Sequence, residues 1–180
     1  TSAEIYDSHS STTAASIIDL DINDSIDSNL LVFVSGTFVF STDGEGALAF
    51  KFKNSSGNYL NSSSSGFTSG TTSTLARTNF SAIYTAYWWA GNVTNSTYVL
   101  RGEMTDLQMF IDMYRSSNGT VKTSGQWTTG YRSNGGYFVS GRGAFRSDSN
   151  DIPTSVCFYK AGNNPELIGN IHSQVILGKY

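Results

Sequence analysis

Cysteine occurs once in these 180 residues, as Cys157, so no disulfide can form within the chain and stability has to come from packing. Histidine occurs twice, at His9 and His172 near opposite ends, which leaves almost no material for a His-rich metal site or a Ser-His-Asp relay. Proline is confined to Pro153 and Pro165. Charged side chains make up 14% of the chain against about 25% in an average soluble domain. The formal net charge is −3, and no stretch gathers Lys and Arg densely enough to follow a phosphate backbone, so nucleic acid is not an expected partner. No apolar run approaches the 18 or so residues that a membrane helix requires, and no membrane insertion is expected. The opening Thr1-Ser-Ala-Glu-Ile-Tyr-Asp7 has neither the basic nor the apolar region of a leader, and Thr1 is what removal of an initiator Met leaves. These features lead to the expectation of a protein made and kept in a cytosol.

What is present is hydroxyl, amide and ring. Ser, Thr and Asn number 28, 19 and 14, a third of the chain, while 38% of residues are hydrophobic and 13% aromatic. That apolar content is enough to offset chain entropy, so the composition describes a folded domain with a polar but weakly ionic surface.

The apolar residues recur with period two. Ile18-Asp-Leu-Asp-Ile22 alternates apolar and acidic residues, the run 31–40 is β-branched and aromatic, and Leu48, Phe50 and Phe52 share one face of 47–53. The Asp43-Gly44 pair between the last two runs predicts a hairpin joining them. Further strands are expected at 84–90, 97–101, 107–114, 125–132, 137–145, 155–160 and 172–178. The segment 103–115 is the best challenger for a helix, but its Leu107, Met109, Ile111 and Met113 lie at spacing two, which a helix would scatter around its circumference. Residues 54–74, mostly Ser, Thr, Gly and Asn, read as a long binding or packing loop. The resulting expectation is an all-β chain of about ten strands, an antiparallel β-sandwich of jelly-roll type. Residues 1–16 are expected to form an extended N-terminal arm, and residues 17–180 a single domain.

Candidate chemistry is sparse. Asp19-Leu-Asp-Ile-Asn-Asp24 imitates the opening of a calcium loop, but Asp24 stands where such a loop needs Gly, and Leu30 where it needs a bidentate acid. Asp106 and Asp112 share the face of their strand opposite Leu107 and Met109, about 20 Å apart at the rise of an extended chain, too far for a glycosidase pair. Cys157 sits between Val156 and Phe158 and reads as a small buried side chain. Seven Asn-x-Ser/Thr triplets follow from the Ser/Thr content and need no modification to explain them. No catalytic residue, metal or cofactor is expected. The aromatic residues carry what binding potential there is: Tyr87, Trp88 and Trp89, and then Trp127 and Tyr131, could stack on the C–H face of a sugar while amides and hydroxyls bond its edge. The alternation puts Tyr87 and Trp89 on one face and Trp88 on the other, so part of this set has to serve the core.

Several short pieces carry a resemblance. Ile18-Asp-Leu-Asp-Ile with Ser25-Ile-Asp-Ser, Phe38-Val-Phe with Thr42-Asp-Gly, Leu48-Ala-Phe-Lys-Phe, Gly57-Asn-Tyr, Gly102-Glu-Met and Gly169-Asn-Ile-His-Ser-Gln-Val-Ile-Leu occur in an order that resembles β-sandwich virion proteins of marine tailed bacteriophages. The resemblance implies a non-enzymatic structural protein located in the virion, acting as a homo-oligomer, most often a trimer, beside other virion proteins. It implies a tail or fibre component that attaches to a host surface glycan, or else a capsid decoration protein that cements the head shell. A soluble carbohydrate-binding module of lectin type is the third expectation, drawn from the aromatic and amide content alone.

Overall fold

The computed structural model describes residues 4–10, 13–22, 30–40, 46–60, 62–69, 74–80, 83–84, 104–132, 138–147, 150–162 and 167–176. Every regular element among them is a strand: β1 (Glu4–Ser10), β2 (Ile18–Asp21), β3 (Leu30–Phe40), β4 (Gly46–Lys53), β5 (Ser62–Ser69), β6 (Thr74–Phe80), β7 (Ile83–Tyr84), β8 (Met104–Arg115), β9 (Val121–Arg132), β10 (Phe138–Ser147), β11 (Ser155–Gly162) and β12 (Leu167–Ile176). The strands form two antiparallel sheets, one in the order β1-β12-β3-β8-β9-β10-β5-β6 and the other β2-β11-β4-β7.

That order is a jelly roll with additions. The first four strands of the large sheet, β1-β12-β3-β8, correspond position by position to β2-β11-β4-β7 of the small sheet, so the chain changes sheets at each of the steps β1 to β2, β3 to β4, β7 to β8 and β11 to β12. Two folded-over Greek keys give this arrangement. The hairpins β5-β6 and β9-β10 widen the large sheet beyond β8.

Period two decides which side chains meet between the sheets. Leu107, Met109, Ile111 and Met113 of β8 are all buried, as are Val32, Val34 and Phe38 of β3, Ile18 and Leu20 of β2, and Val156 and Phe158 of β11. Phenylalanines lock the two layers together. Phe38 of the large sheet meets Phe158 of the small one with ring centroids 5.1 Å apart, and Phe145 of β10 meets Phe50 and Phe52 of β4 at 5.2 and 5.4 Å.

Two expectations need correction. The runs 31–40 and 47–53 do not make a hairpin: β3 pairs with β12 and β8, β4 pairs with β11 and β7, and the two lie in opposite sheets. An Asp-Gly turn is a local preference. Burying Phe38, Phe50 and Phe52 from both sides places the two runs in different sheets, which outweighs it. The stretch 54–74 is not one long loop, because Ser62–Ser69 is a strand laddered to β10 on one side and β6 on the other. Serine contributes no apolar alternation, so the strand is held by its backbone pairing and gave the periodicity no signal. Within the first sixteen residues, 4–10 pair with β12 of the same chain, with a register shift between Ile5 and Asp7. The Asp7 carboxylate there accepts from the backbone N–H of Asp21 at 2.8 Å, tying the edge of the large sheet to β2. The strand expected at 84–90 is represented by β7 alone, and the rest of it, like the strand at 97–101, lies outside the described residues.

Two turns share a construction. In Asn54–Asn58 the side-chain oxygen of Asn54 accepts from the N–H groups of Ser56 and Asn58, both at 3.0 Å, and Gly57 takes φ +78°. In 116–120, which joins β8 to β9, Asn118 accepts from the N–H of Thr120 at 3.0 Å and Gly119 takes φ +83°. Only glycine adopts that left-handed conformation freely, which is why each tight return carries one.

Candidate binding face of the large sheet

The outward side of the large sheet is built on β3 and β8. Their register sets Phe33 opposite Phe110, Ser35 opposite Gln108 and Thr37 opposite Asp106. Phe33 and Phe110 form a tilted pair with centroids 4.9 Å apart. Phe110 remains 41% exposed and Tyr114, four residues along the same face, 50% exposed. Between them stands Asp112, part-buried, with an oxygen that has no hydrogen-bond partner. At the other end Thr37 Oγ1 donates to Asp106 Oδ1 at 3.2 Å. A shallow depression of about 530 Å³ opens beside this pair, lined by Ser8 and Ser10 of β1, Ser35 and Thr37 of β3, and Asp106 and Gln108 of β8. The flank on β9 continues the character: Ser124, Gln126 and Thr128 are exposed, and Gln126 lies directly opposite Phe110. Aromatic rings, hydroxyls, amides and carboxylates thus share the outward side of the sheet with three exposed cations, Lys122 opposite Tyr114, and Arg142 and Arg146 on β10.

The outward side of the small sheet is chemically different. Lys53 of β4 reaches Asp19 of β2 with Nζ 2.9 and 3.1 Å from the two carboxylate oxygens. Since β11 runs between those strands, the lysine stem crosses β11 where Cys157 stands opposite Asp19, and the thiol is fully buried. Lys51 stands over the rings of Tyr59 and Tyr159, at 3.6 and 4.8 Å. Burial, then the neighbouring Asp19 carboxylate, pushes the Cys157 thiol up to about 12, with Lys53 pulling weakly the other way. The hydrogen bond that Lys53 donates to Asp19 raises Lys53 in turn. Both groups keep their protons in the folded chain at pH values where the unfolded chain begins to lose them, so the contribution of Cys157 is intact below about pH 9 and is lost as the pH climbs toward 12, while that of Lys53 begins to be lost only above 10.5. Urea midpoints measured from pH 8 to 11 should fall for the wild type and fall less steeply for Cys157→Ala. Parallel curves would remove Cys157 from the account. An aromatic disulfide reagent should leave the thiol untouched until urea unfolds the chain.

The residues singled out in the sequence fare unevenly. Trp127 is 3% exposed, on the inner face of β9 opposite Met109, with an indole N–H that has no partner. It belongs to the core and offers no ring to a surface ligand, because the alternation of Val121, Thr123 and Trp127 turns all three inward. The backbone of Tyr131 pairs with Thr105 in β8, and its side chain lies outside the described residues, as do Tyr87, Trp88 and Trp89 altogether. Among the described residues no group of three His, Cys, Asp or Glu side chains could hold a metal ion, and Asp19 of the calcium-like segment is engaged by Lys53. Phe33, Phe110 and Tyr114 were missed as candidates. The signal that marks the last two was present: they share strand parity with Asp106 and Asp112, which alternate with the buried residues.

No protein-family model, curated protein or solved structure matches the chain.

Proposed function

We propose that this protein is a non-enzymatic structural component of a bacteriophage virion, a tail or fibre protein that attaches the particle to its host's surface as a homo-oligomer, with a trimer the expected form. The observation that carries the reading is the outward face of the large sheet of this jelly roll, where Phe110 and Tyr114 stay open to solvent. Jelly rolls serve viral shells and lectins alike, so the fold supports the class and the surface supports the role within it. Single contacts on such a flat surface are weak. Several copies held together convert later contacts into intramolecular ones and give durable attachment.

A second reading, a decoration protein that cements the head shell, is favoured by β6, which ends the large sheet with β5 as its one neighbour among the described residues. An open strand edge can continue its ladder into a shell subunit. Cryo-electron microscopy of particles of the encoding phage separates the two. Density for this chain at the tail supports attachment, density at subunit junctions of the head supports cementing, and its absence from the particle overturns both.

A further inference from the structure

We infer that copies of this chain associate through the outward side of the small sheet, with the acid row on β2 of one copy seated against the lysine row on β4 of the next. The inference deepens the homo-oligomer of the attachment reading and rests on that reading for its setting in the virion. It leaves the outward face of the large sheet, on the other side of each copy, open to the host.

The charges on this face are sorted by strand. Register sets Asp21, Ser155 and Lys53 in one row and Asp19, Cys157 and Lys51 in the next. Acids therefore stand on one side of β11 and lysines on the other, about 10 Å apart at the usual strand spacing. Asp7 of β1 accepts from the Asp21 N–H at 2.8 Å and adds an acid on the β2 side. Asp151, four residues before Ser155, accepts from Asn54 Nδ2 at 3.4 Å.

That sorting selects both the partner and its orientation. A copy turned about an axis across the strands would lay β2 on β2 and β4 on β4, acid against acid and lysine against lysine. A copy turned about an axis parallel to the strands lays β2 on β4 and keeps every row at its height. Asp21 then meets the partner's Lys53, and Asp19 meets the partner's Lys51. The two rows are neighbours, about 6.8 Å apart, so the twist of the sheets does not carry them out of step. The pattern is complementary to itself, as a contact between identical chains requires, and opposed like charges exclude the other orientation.

The face also has capacity for the contact. The Asp19 side chain is 50% exposed although it binds Lys53, and a carboxylate has lone pairs to spare for a second cation. Each row has an apolar flank. Tyr59, 42% exposed, lies beside the lysines, with Lys51 Nζ 3.6 Å from its ring centre, and Ile17, 39% exposed, is the outward position next to Asp19. Tyrosine is favoured at the core of protein interfaces. Among the described residues β2 ends its sheet, so the acid row of one copy can rest on the next copy's β4 while its own β4 receives another. Such a contact closes in a ring, and a ring of three is the trimer that the attachment reading expects.

The test is sedimentation equilibrium of the purified full chain over a range of concentrations. The wild type should associate. Asp21→Lys and Lys51→Glu, neither of them in the Lys53–Asp19 pair, should each raise the dissociation constant at least tenfold. Asp19→Lys, Asp21→Lys, Lys51→Glu and Lys53→Glu combined in one chain exchange the sign of both rows, keep the pair within the chain, and should restore association. Ser117→Lys, in the turn between β8 and β9, should associate as the wild type does. Circular dichroism melts would show that each variant is folded. A monomeric wild type, wild-type association in either single reversal, or a combined reversal that stays monomeric would each overturn the inference. A wild-type mass of two copies would remove the trimer from the attachment reading and leave this contact standing, since a ring of two uses the same rows. Association lost in the single reversals of a chain absent from the particle would overturn the virion reading alone. A chain found at the tail whose association ignores the reversals would overturn this inference alone.

Discussion

Replacing Phe50 by alanine should cost about 3–5 kcal/mol of folding stability, a large part of what a domain of this size possesses. The side chain is fully buried. Its ring meets Phe145 at 5.2 Å, Phe52 at 5.7 Å and Phe158 at 6.2 Å, so it touches a neighbour on its own strand, the adjacent strand β11, and β10 in the facing sheet. Removing it leaves a cavity at the junction where the inserted hairpin β9-β10 is fastened to the small sheet. The facing layers cannot collapse to fill it without breaking the remaining ring contacts. Each lost edge or tilted pair adds about 0.5–1.5 kcal/mol to the lost burial. Urea unfolding followed by circular dichroism measures the cost, with Phe50→Leu as the companion that keeps most of the volume and should lose far less. A loss below about 1 kcal/mol for the alanine variant would show that the two sheets are not fastened at Phe50.

The core was legible wherever apolar residues alternate with polar ones. Leu107, Met109, Ile111 and Met113 follow one another at spacing two, and the structure buries each of them. Pairing partners were much less legible. Whether the run 31–40 joins 47–53 or the distant 167–176 depends on which arrangement buries Phe38 and Phe50 from both sides, a property of the assembled layers that no local segment states. The same holds for Ser62–Ser69, whose place between β6 and β10 comes from backbone hydrogen bonds that any residue but proline can make.

The candidate surface was hidden for a related reason. Large rings attract attention by size, and Trp127 was an obvious choice for a ligand, yet strand parity sends it inward beside Val121 and Thr123. Phe110 looked like one more apolar residue in an apolar run. Its parity with Asp106 and Asp112 places it outside, and only the register with β3 shows that Phe33 stands beside it. Parity could be read from the sequence, but the neighbour across the strand could not.

Gly125→Ala should be the costliest single methyl group that can be added in β9. Gly125 lies directly opposite Phe145 on one side and Ile111 on the other. A Cβ built there would stand 2.5 Å from Phe145 Cζ and 2.9 Å from Cε1, and would run into the backbone carbonyl oxygen of Phe110. The ring could swing aside only by leaving Phe50 and Phe52, against which it packs, and the carbonyl belongs to the sheet itself. Overpacking of this kind costs about 1–3 kcal/mol or more. The alanine's restriction of the unfolded chain returns only about 0.4–1 kcal/mol. Gly130, in the same strand, is the control, because a Cβ there meets nothing within 4 Å and Gly130→Ala should be neutral or mildly stabilising. The pair Gly125→Ala with Phe145→Leu separates the two obstacles, since shortening the ring relieves the first contact and leaves the carbonyl in place. Partial rescue, seen as a double variant less damaged than the sum of the two singles, is the expected result. If Gly125→Ala and Gly130→Ala melt alike, Phe145 does not close over β9 at that point, and the fastening of the inserted hairpin has to be sought elsewhere.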